Sequence, residues 1–294
     1  MAQRVGILGA KGFTGSVLAR LLKQQGCEVS AFARELPETS SADDSAVTWY
    51  HLGELHSVVL DAWVSVAPIW QLDTYFPLFE ASGARRVVAL SSTSRFSKVS
   101  STDPQEQALV QQLIQGEEQL RRWAEAKGIT WVILRPTMIY GFGRDHNVSS
   151  LLRLIRRVGF VPVVGGAQGR RQPIHVEDVA QACSAALFSP LAANRAYNLS
   201  GGEVLSYRQL CERLFRALGR SPRVVTLPLI LFRVAKPLIR ILPPRLRWLA
   251  DMAERMGQDL IFDHGDAAHD LNFKPRGFVL SEDDLVDRSN RIVP

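Results

Sequence analysis

Residues Gly9-Ala10-Lys11-Gly12-Phe13-Thr14-Gly15 form a GxxGxxG loop set between an apolar run and an amphipathic one. Arg4–Leu8 reads as a buried strand, and Gly15–Gln25 as a helix with Val17, Leu18, Leu21 and Leu22 on one face. A strand that breaks into glycines and restarts as a helix can fold in few ways. The glycines let the backbone approach a pyrophosphate, and the helix N-terminus supplies amide donors and the positive end of its dipole. The loop therefore reads as the opening of a dinucleotide-binding βαβ unit.

The rest of the first two-thirds alternates short apolar runs with helical patterns, as in a parallel sheet flanked by helices. Val29–Phe32, Trp63–Val66, Arg86–Leu90 and Thr130–Leu134 read as strands, and Pro104–Lys127 as a long helix with Leu109, Leu113, Leu120 and Trp123 on its apolar stripe. The short spacing between the second strand and Arg86–Leu90 predicts a trimmed third βα unit. Beyond Gly141 the pattern predicts a helix over Ser149–Arg157, a strand over Phe160–Val164, a helix opened by Glu177 and Asp178, a strand over Tyr197–Leu199 and a helix over Tyr207–Leu218. The fold class expected is α/β, a doubly wound parallel sheet of the Rossmann kind with a small C-terminal region.

The end of the second strand bears on cofactor choice. NAD-binding sites usually place a carboxylate there for the ribose hydroxyls, but here Ala33 is followed by Arg34. A guanidinium suits a 2′-phosphate, and Lys11 in the loop adds a second charge. The residues favour NADPH and leave NADH open.

Composition removes several other classes. The chain of 294 residues is 46% hydrophobic and 22% charged, so it is neither disordered nor fibrous. No uncharged apolar run reaches the length of a membrane-spanning helix. The N-terminal apolar run Val5–Leu8 is too short for a signal peptide, so a cytoplasmic location is expected. Cys27, Cys183 and Cys211 are far apart and form no CxxC or Cys/His cluster, so reduced thiols are expected, without disulfide or metal.

The joint pattern of Gly9–Gly15, Ser91–Thr93, Leu134-Arg135-Pro136, Tyr140-Gly141 and Arg171–Ala180 (RQPIHVEDVA) resembles the extended or atypical short-chain dehydrogenase/reductases. Within them it is most similar to the nucleotide-sugar epimerase/dehydratase group. The resemblance implies a Rossmann domain over 1–145 and a substrate region over 146–294, interleaved with the sheet through 172–200. It implies cofactor contacts from Gly9, Lys11, Gly12, Phe13, Thr14, Gly15, Arg34 and, less directly, Pro136. Thr93 matches the family's catalytic Ser/Thr, placed to polarise a substrate oxygen, and Asn147 and Arg171 match residues that grip a nucleotide-sugar diphosphate. His175 and Asp178 read as structural.

One departure stands against simple catalysis in this family, whose proton-transfer device is a Tyr four residues before a Lys. Four residues after Tyr50, Tyr75, Tyr140, Tyr197 and Tyr207 stand Glu54, Phe79, Arg144, Gly201 and Cys211. The matching helix stretch, Ala108–Glu118, reads ALVQQLIQGEE. Lys98, which closely follows Thr93, and Tyr140, which follows the Thr130–Leu134 strand, are the candidate substitutes.

The net charge of +6 is concentrated: Gly219–Ala250 carries Arg220, Arg223, Arg233, Lys236, Arg240, Arg245 and Arg247 and no acid. This basic apolar segment, 220–250, contains a stretch over 227–247 suited to an anionic membrane surface or to packing in a substrate domain. Phe232 and Trp248 are the two aromatic residues in 220–250, too few to form a base-stacking platform among the charges, so nucleic acid is not an expected partner. Together with Pro162–Gly165 and Gln172–Val179, the segment is also similar to the NADPH-binding accessory subunit of respiratory complex I. That likeness implies a cofactor held for structure, without the Tyr/Lys pair. Two main readings follow: an NAD(P)-dependent epimerase or 4-keto reductase acting on a nucleotide-linked sugar, or a non-catalytic NADPH-binding scaffold of a membrane-associated assembly. A redox sensor that changes partner with NADPH occupancy is a third.

Overall fold

The structure, a computed structural model, describes residues 3–36, 47–52, 58–99, 103–228 and 255–286. The chain forms two compact units. The first comprises 1–137, 174–200 and 262–275, and the second 138–173, 201–261 and 276–294.

The first unit is built on a seven-stranded parallel sheet. Its strands are β1 (Arg4–Leu8), β2 (Glu28–Ala33), β3 (Val47–His51), β4 (Ala62–Ser65), β5 (Arg86–Leu90), β6 (Thr130–Pro136) and β11 (Arg195–Leu199), in the order β11-β6-β5-β4-β1-β2-β3. Strands covered on both faces must be apolar throughout. β5 and β6 accordingly bury Val87, Val88, Trp131, Val132 and Ile133. The order reverses between β1 and β4, the point at which open α/β sheets hold their ligands. Helix α1 (Phe13–Gln24) packs against α6 (Val176–Phe188). On the other face, the 3₁₀ turn Ile69–Tyr75, the short α2 (Phe76–Ala81) and α4 (Pro104–Lys127) cover a core of Phe32, Trp63, Phe79, Leu113 and Leu120.

Local chemistry sets the helix limits. Asp103 caps α4 by accepting from Gln105 N–H at 2.9 Å, Pro104 occupies its first turn, and Gly128 closes it in the left-handed conformation at φ 65°. The four-residue α3 (Ser94–Ser97) follows Thr93. β10 (Ile174–His175) leads into α6, whose Glu177 N–H is accepted by the His175 imidazole; Glu177 and Asp178 lie in the first turn. Residues 262–275, with helix α8 (Gly265–Leu271), also belong to this unit, a return of the chain without counterpart in the sequence reading. Asp270 anchors it by accepting from the Tyr197 hydroxyl at 2.7 Å and from Arg195. β3 was not among the strands expected either.

The second unit pairs β8 (Val161–Val164) with β13 (Val224–Leu227) in parallel, and β9 (Arg170–Arg171) with β12 (Leu205–Ser206) antiparallel. It also holds β7 (Ile139–Tyr140), α5 (Val148–Val158), α7 (Tyr207–Ala217) and α9 (Glu282–Leu285). α5 places Val148, Leu151, Leu152 and Ile155 on one face of this core. Of the basic apolar segment, 220–228 are described and include β13; the rest of the stretch over 227–247 lies outside the described residues. Among the described residues no helix is long and apolar enough to cross a membrane.

Candidate functional site

The glycine loop lies at the carboxyl end of β1. Gly9 has φ 87°, a conformation that glycine adopts freely, and a side chain there would press on Ala67 N and Val66 at 3.1 Å. At Gly15 a β-carbon would stand 2.3 Å from the Gly9 carbonyl oxygen, so only glycine lets α1 start this close to the loop. Gly12, the N-cap of α1, has no side chain to cap the helix, and the first turn holds no acidic residue. The helix end therefore keeps its positive dipole for an anion. In α4, α6 and α7 a side chain fills the same position. Lys11 is exposed beside the loop, and Arg34 is exposed just past the end of β2. This cradle fits the pyrophosphate of a dinucleotide.

The carboxyl ends of β5 and β6 carry a second cluster, which the sequence reading missed. Glu117, on α4 and only 4% exposed, accepts from Ser91 Oγ at 2.5 Å, from Arg135 Nε at 3.0 Å and Nη2 at 2.6 Å, and from Arg95 Nη1. The ring of Phe96 lies beneath both guanidiniums, at 5.1 Å from Arg95 and 5.3 Å from Arg135. Two cations thus share one buried carboxylate, and Arg95 Nε is buried without a hydrogen-bond partner among the described residues. The signal was present in sequence as an acid in the middle of an otherwise suitable apolar helix face.

Several expected site residues have other occupations. Thr93 is buried, and both its N–H and its hydroxyl donate to the Pro136 carbonyl at 3.2 Å, so the hydroxyl proton is committed to the backbone. Lys98 does not stand free as a proton donor; its ammonium pairs with Glu106 at 3.0 Å. Tyr140 is fully buried in the core of the second unit, where its hydroxyl donates to the Val279 carbonyl at 3.2 Å and its ring meets the edge of Phe278. Leu109 and Leu113, four residues apart in the helix expected to carry the Tyr/Lys pair, pack into the apolar core.

Arg171 directs three of its five guanidinium N–H donors at backbone carbonyls. It donates from Nη1 to the carbonyls of Arg170 at 2.9 Å and Gln258 at 2.5 Å, and from Nη2 to that of Arg255. It also lies 5.8 Å from the Tyr207 ring centroid, and burial pushes it down to about 10. Asn147 is exposed at the start of α5 and its N–H donates to Asp145. All three cysteines are free thiols; burial pushes Cys183 and Cys211 up to about 12, which keeps them unreactive.

Comparison with known proteins agrees with this fold. The model of the family described as NAD dependent epimerase/dehydratase matches residues 5–200. The chain is 24% identical over 182 residues to a UDP-glucose 4-epimerase of Vibrio cholerae, covering 60% of this chain and 53% of that protein. It is 32% identical over 105 residues to NADH dehydrogenase [ubiquinone] 1 alpha subcomplex subunit 9, mitochondrial, of Arabidopsis thaliana, covering 35% of this chain and 25% of that one. The chain thus spans about half or less of the length of these curated relatives. The solved structure of MoeE5 in complex with UDP-glucose and NAD superposes with a TM-score of 0.66 at 20% identity, over 94% of each chain.

Proposed function

The chain belongs to the NAD dependent epimerase/dehydratase family, and on that premise we propose that it binds NADPH and acts as a reductase or epimerase on a nucleotide-linked sugar. The observation that carries the cofactor choice is the end of β2, where the exposed Arg34 stands in place of a carboxylate beside an uncapped α1. In this reading Gly9, Lys11, Gly12, Phe13, Thr14 and Gly15 hold the pyrophosphate and Arg34 takes the 2′-phosphate. Pro136 and Thr93 line the nicotinamide end, and the bound cofactor supplies or accepts hydride. The sugar substrate is supported by the UDP-glucose named for MoeE5. Asn147, exposed at the start of α5, is the more accessible candidate for the diphosphate, because three of the five N–H donors of Arg171 are directed at carbonyls.

A second reading rests on a specific observation. The helix stretch expected to hold the Tyr/Lys pair, Ala108–Glu118, contains neither residue, and one curated relative bears the name of a complex I subunit. In that reading NADPH is held as part of an assembly and is not turned over.

Calorimetric titration separates the possibilities. NADPH is expected to bind at least tenfold more tightly than NADH, and Arg34→Ser to remove about tenfold of that preference, the worth of one charge-assisted contact at an exposed site. Equal affinities would end the NADPH assignment. UDP and UDP-glucose are then titrated into the NADPH-saturated chain. Micromolar binding supports the enzyme, whereas tight NADPH without any nucleotide-sugar affinity supports the scaffold.

A further inference from the structure

A carbonyl reductase or epimerase of this kind must move a proton to or from the substrate oxygen, and the usual tyrosine is missing. Around Thr93 the other titratable groups are engaged: Lys98 with Glu106, and Glu117 with two arginines and Ser91. His175 is buried and caps α6. His264 differs from all of these.

His264 belongs to the segment that returns to the first unit after residue 261. That segment is tied down at two points on the carboxyl edge of the sheet. At one, Ser200, the residue just beyond β11 and fully buried, meets the Phe262 carbonyl at 2.8 Å and His264 Nδ1 at 2.6 Å. At the other, the Phe262 ring lies 6.2 Å from that of Phe96, three residues after Thr93. The two ties are joined through β6. Leu199 is in register with Pro136, Thr137 N–H donates to the Leu199 carbonyl at 2.8 Å, and the Pro136 carbonyl accepts from Thr93. The segment Phe262–His264 therefore runs along the edge that carries Thr93.

The serine also fixes the imidazole. A carbonyl oxygen can only accept, so the single hydroxyl proton of Ser200 goes to Phe262, and His264 Nδ1 must carry a proton and donate it to Ser200 Oγ. Nε2 is then the nitrogen that gains and loses the second proton. The ring otherwise meets the edge of Phe273. Its neighbour Asp263 accepts from Gly265 N–H at 3.1 Å, Asp266 is exposed, and Arg95 and Arg135 lie over the Phe96 ring that Phe262 meets. The imidazole is half-buried and oriented by a buried hydroxyl, as a general acid–base must be.

We propose that His264 is the proton donor and acceptor of the active site, replacing the missing tyrosine, with Ser200 as its positioning residue. The inference rests on the NADPH reading above. In the reductive direction a bound NADPH would supply hydride to the carbonyl carbon. The electron pair of the C=O bond moves onto oxygen, that oxygen takes the Nε2 proton of imidazolium His264, and neutral imidazole remains, its Nδ1–H still donating to Ser200 Oγ.

The test does not depend on knowing the sugar. The full chain is labelled at histidine, its six imidazoles are followed by NMR against pH, and His264 is assigned by its loss in His264→Gln. The titration is run with saturating NADPH and again with saturating NADP⁺, which differ by one positive charge on the nicotinamide ring. A ring beside the reacting atoms should titrate lower with NADP⁺, by about half a unit or more. Identical titration of His264 in both complexes, with NADPH held, would overturn the proposal and leave the cofactor assignment standing. Failure of the chain to bind NADPH at all would remove both. With any carbonyl substrate that wild type reduces, His264→Gln should lose about a hundredfold in kcat, together with the wild-type pH dependence. Retention of both would also overturn it.

Discussion

Replacing Glu117 by alanine isolates the charge cluster at the ends of β5 and β6. The carboxylate is almost wholly buried and neutralises two guanidiniums whose side chains are 21% and 16% exposed. Removing one partner of a buried ion pair typically costs about 3–5 kcal/mol, chiefly because a charge is left uncompensated. Here both arginines reach water in part, which places the expected loss at the low end, about 3 kcal/mol. For a chain of this size that corresponds to a fall in Tm of roughly 6–9 °C. Urea denaturation supplies the measurement, read as a change in midpoint with an unchanged slope. The triple variant Glu117→Leu, Arg95→Met, Arg135→Met should recover to within about 1 kcal/mol of wild type, since well-packed apolar groups replace buried ions at little cost. A Glu117→Ala loss below about 1 kcal/mol, or a triple variant less stable than the single one, would refute this account of the cluster.

Two further substitutions test other parts of the structure. Arg171→Met deprives three backbone carbonyls of their donor and should cost about 2–4 kcal/mol of stability; proteolysis should find 255–260 newly accessible, whereas unaltered stability with lost UDP-glucose affinity would restore a ligand role to this arginine. Gly15→Ala drives a β-carbon to 2.3 Å from the Gly9 carbonyl oxygen, so it should weaken NADPH binding by about tenfold or more while far-UV circular dichroism keeps its shape. Unchanged calorimetric affinity for NADPH would show that the loop accommodates the extra carbon.

Sequence exposed most of the parallel sheet because its limits carry chemical punctuation. β1, β5 and α4 begin and end where the pattern places them, with Pro104 at the start of α4 and Gly128 just beyond it. β3 escaped notice because VTWYH has no clean alternation, and its place is set by the stacking of Tyr50 on Phe32 across the sheet at 5.1 Å. Helix α8 reads GDAAHDL, with little apolar periodicity, and polar bonds from Tyr197 and Arg195 to Asp270 hold it. The cofactor loop was legible because strand, glycines and helix are contiguous. The occupations of Arg171 and His264 were not, since their partners lie 84 and 87 residues away in one case and 64 in the other. An arginine looks the same in sequence whether it faces a phosphate or a carbonyl.

The position of β11 bears on how the chain is made. It pairs in parallel with β6, yet the ribosome finishes β6 at Pro136 and does not reach Arg195 until roughly sixty residues later, several seconds at cellular elongation rates. Throughout that interval the flank of Trp131–Leu134, among the most apolar stretches of the sheet, is an open edge ready to pair with any other extended chain. Emergence of Arg195–Leu199 seals it, and the later arrival of Asp270 ties the seal to Tyr197. A nascent chain stalled within that window carries the sheet without its guard strand. Such stalled chains, and not the finished protein, are where aggregation and chaperone capture should concentrate.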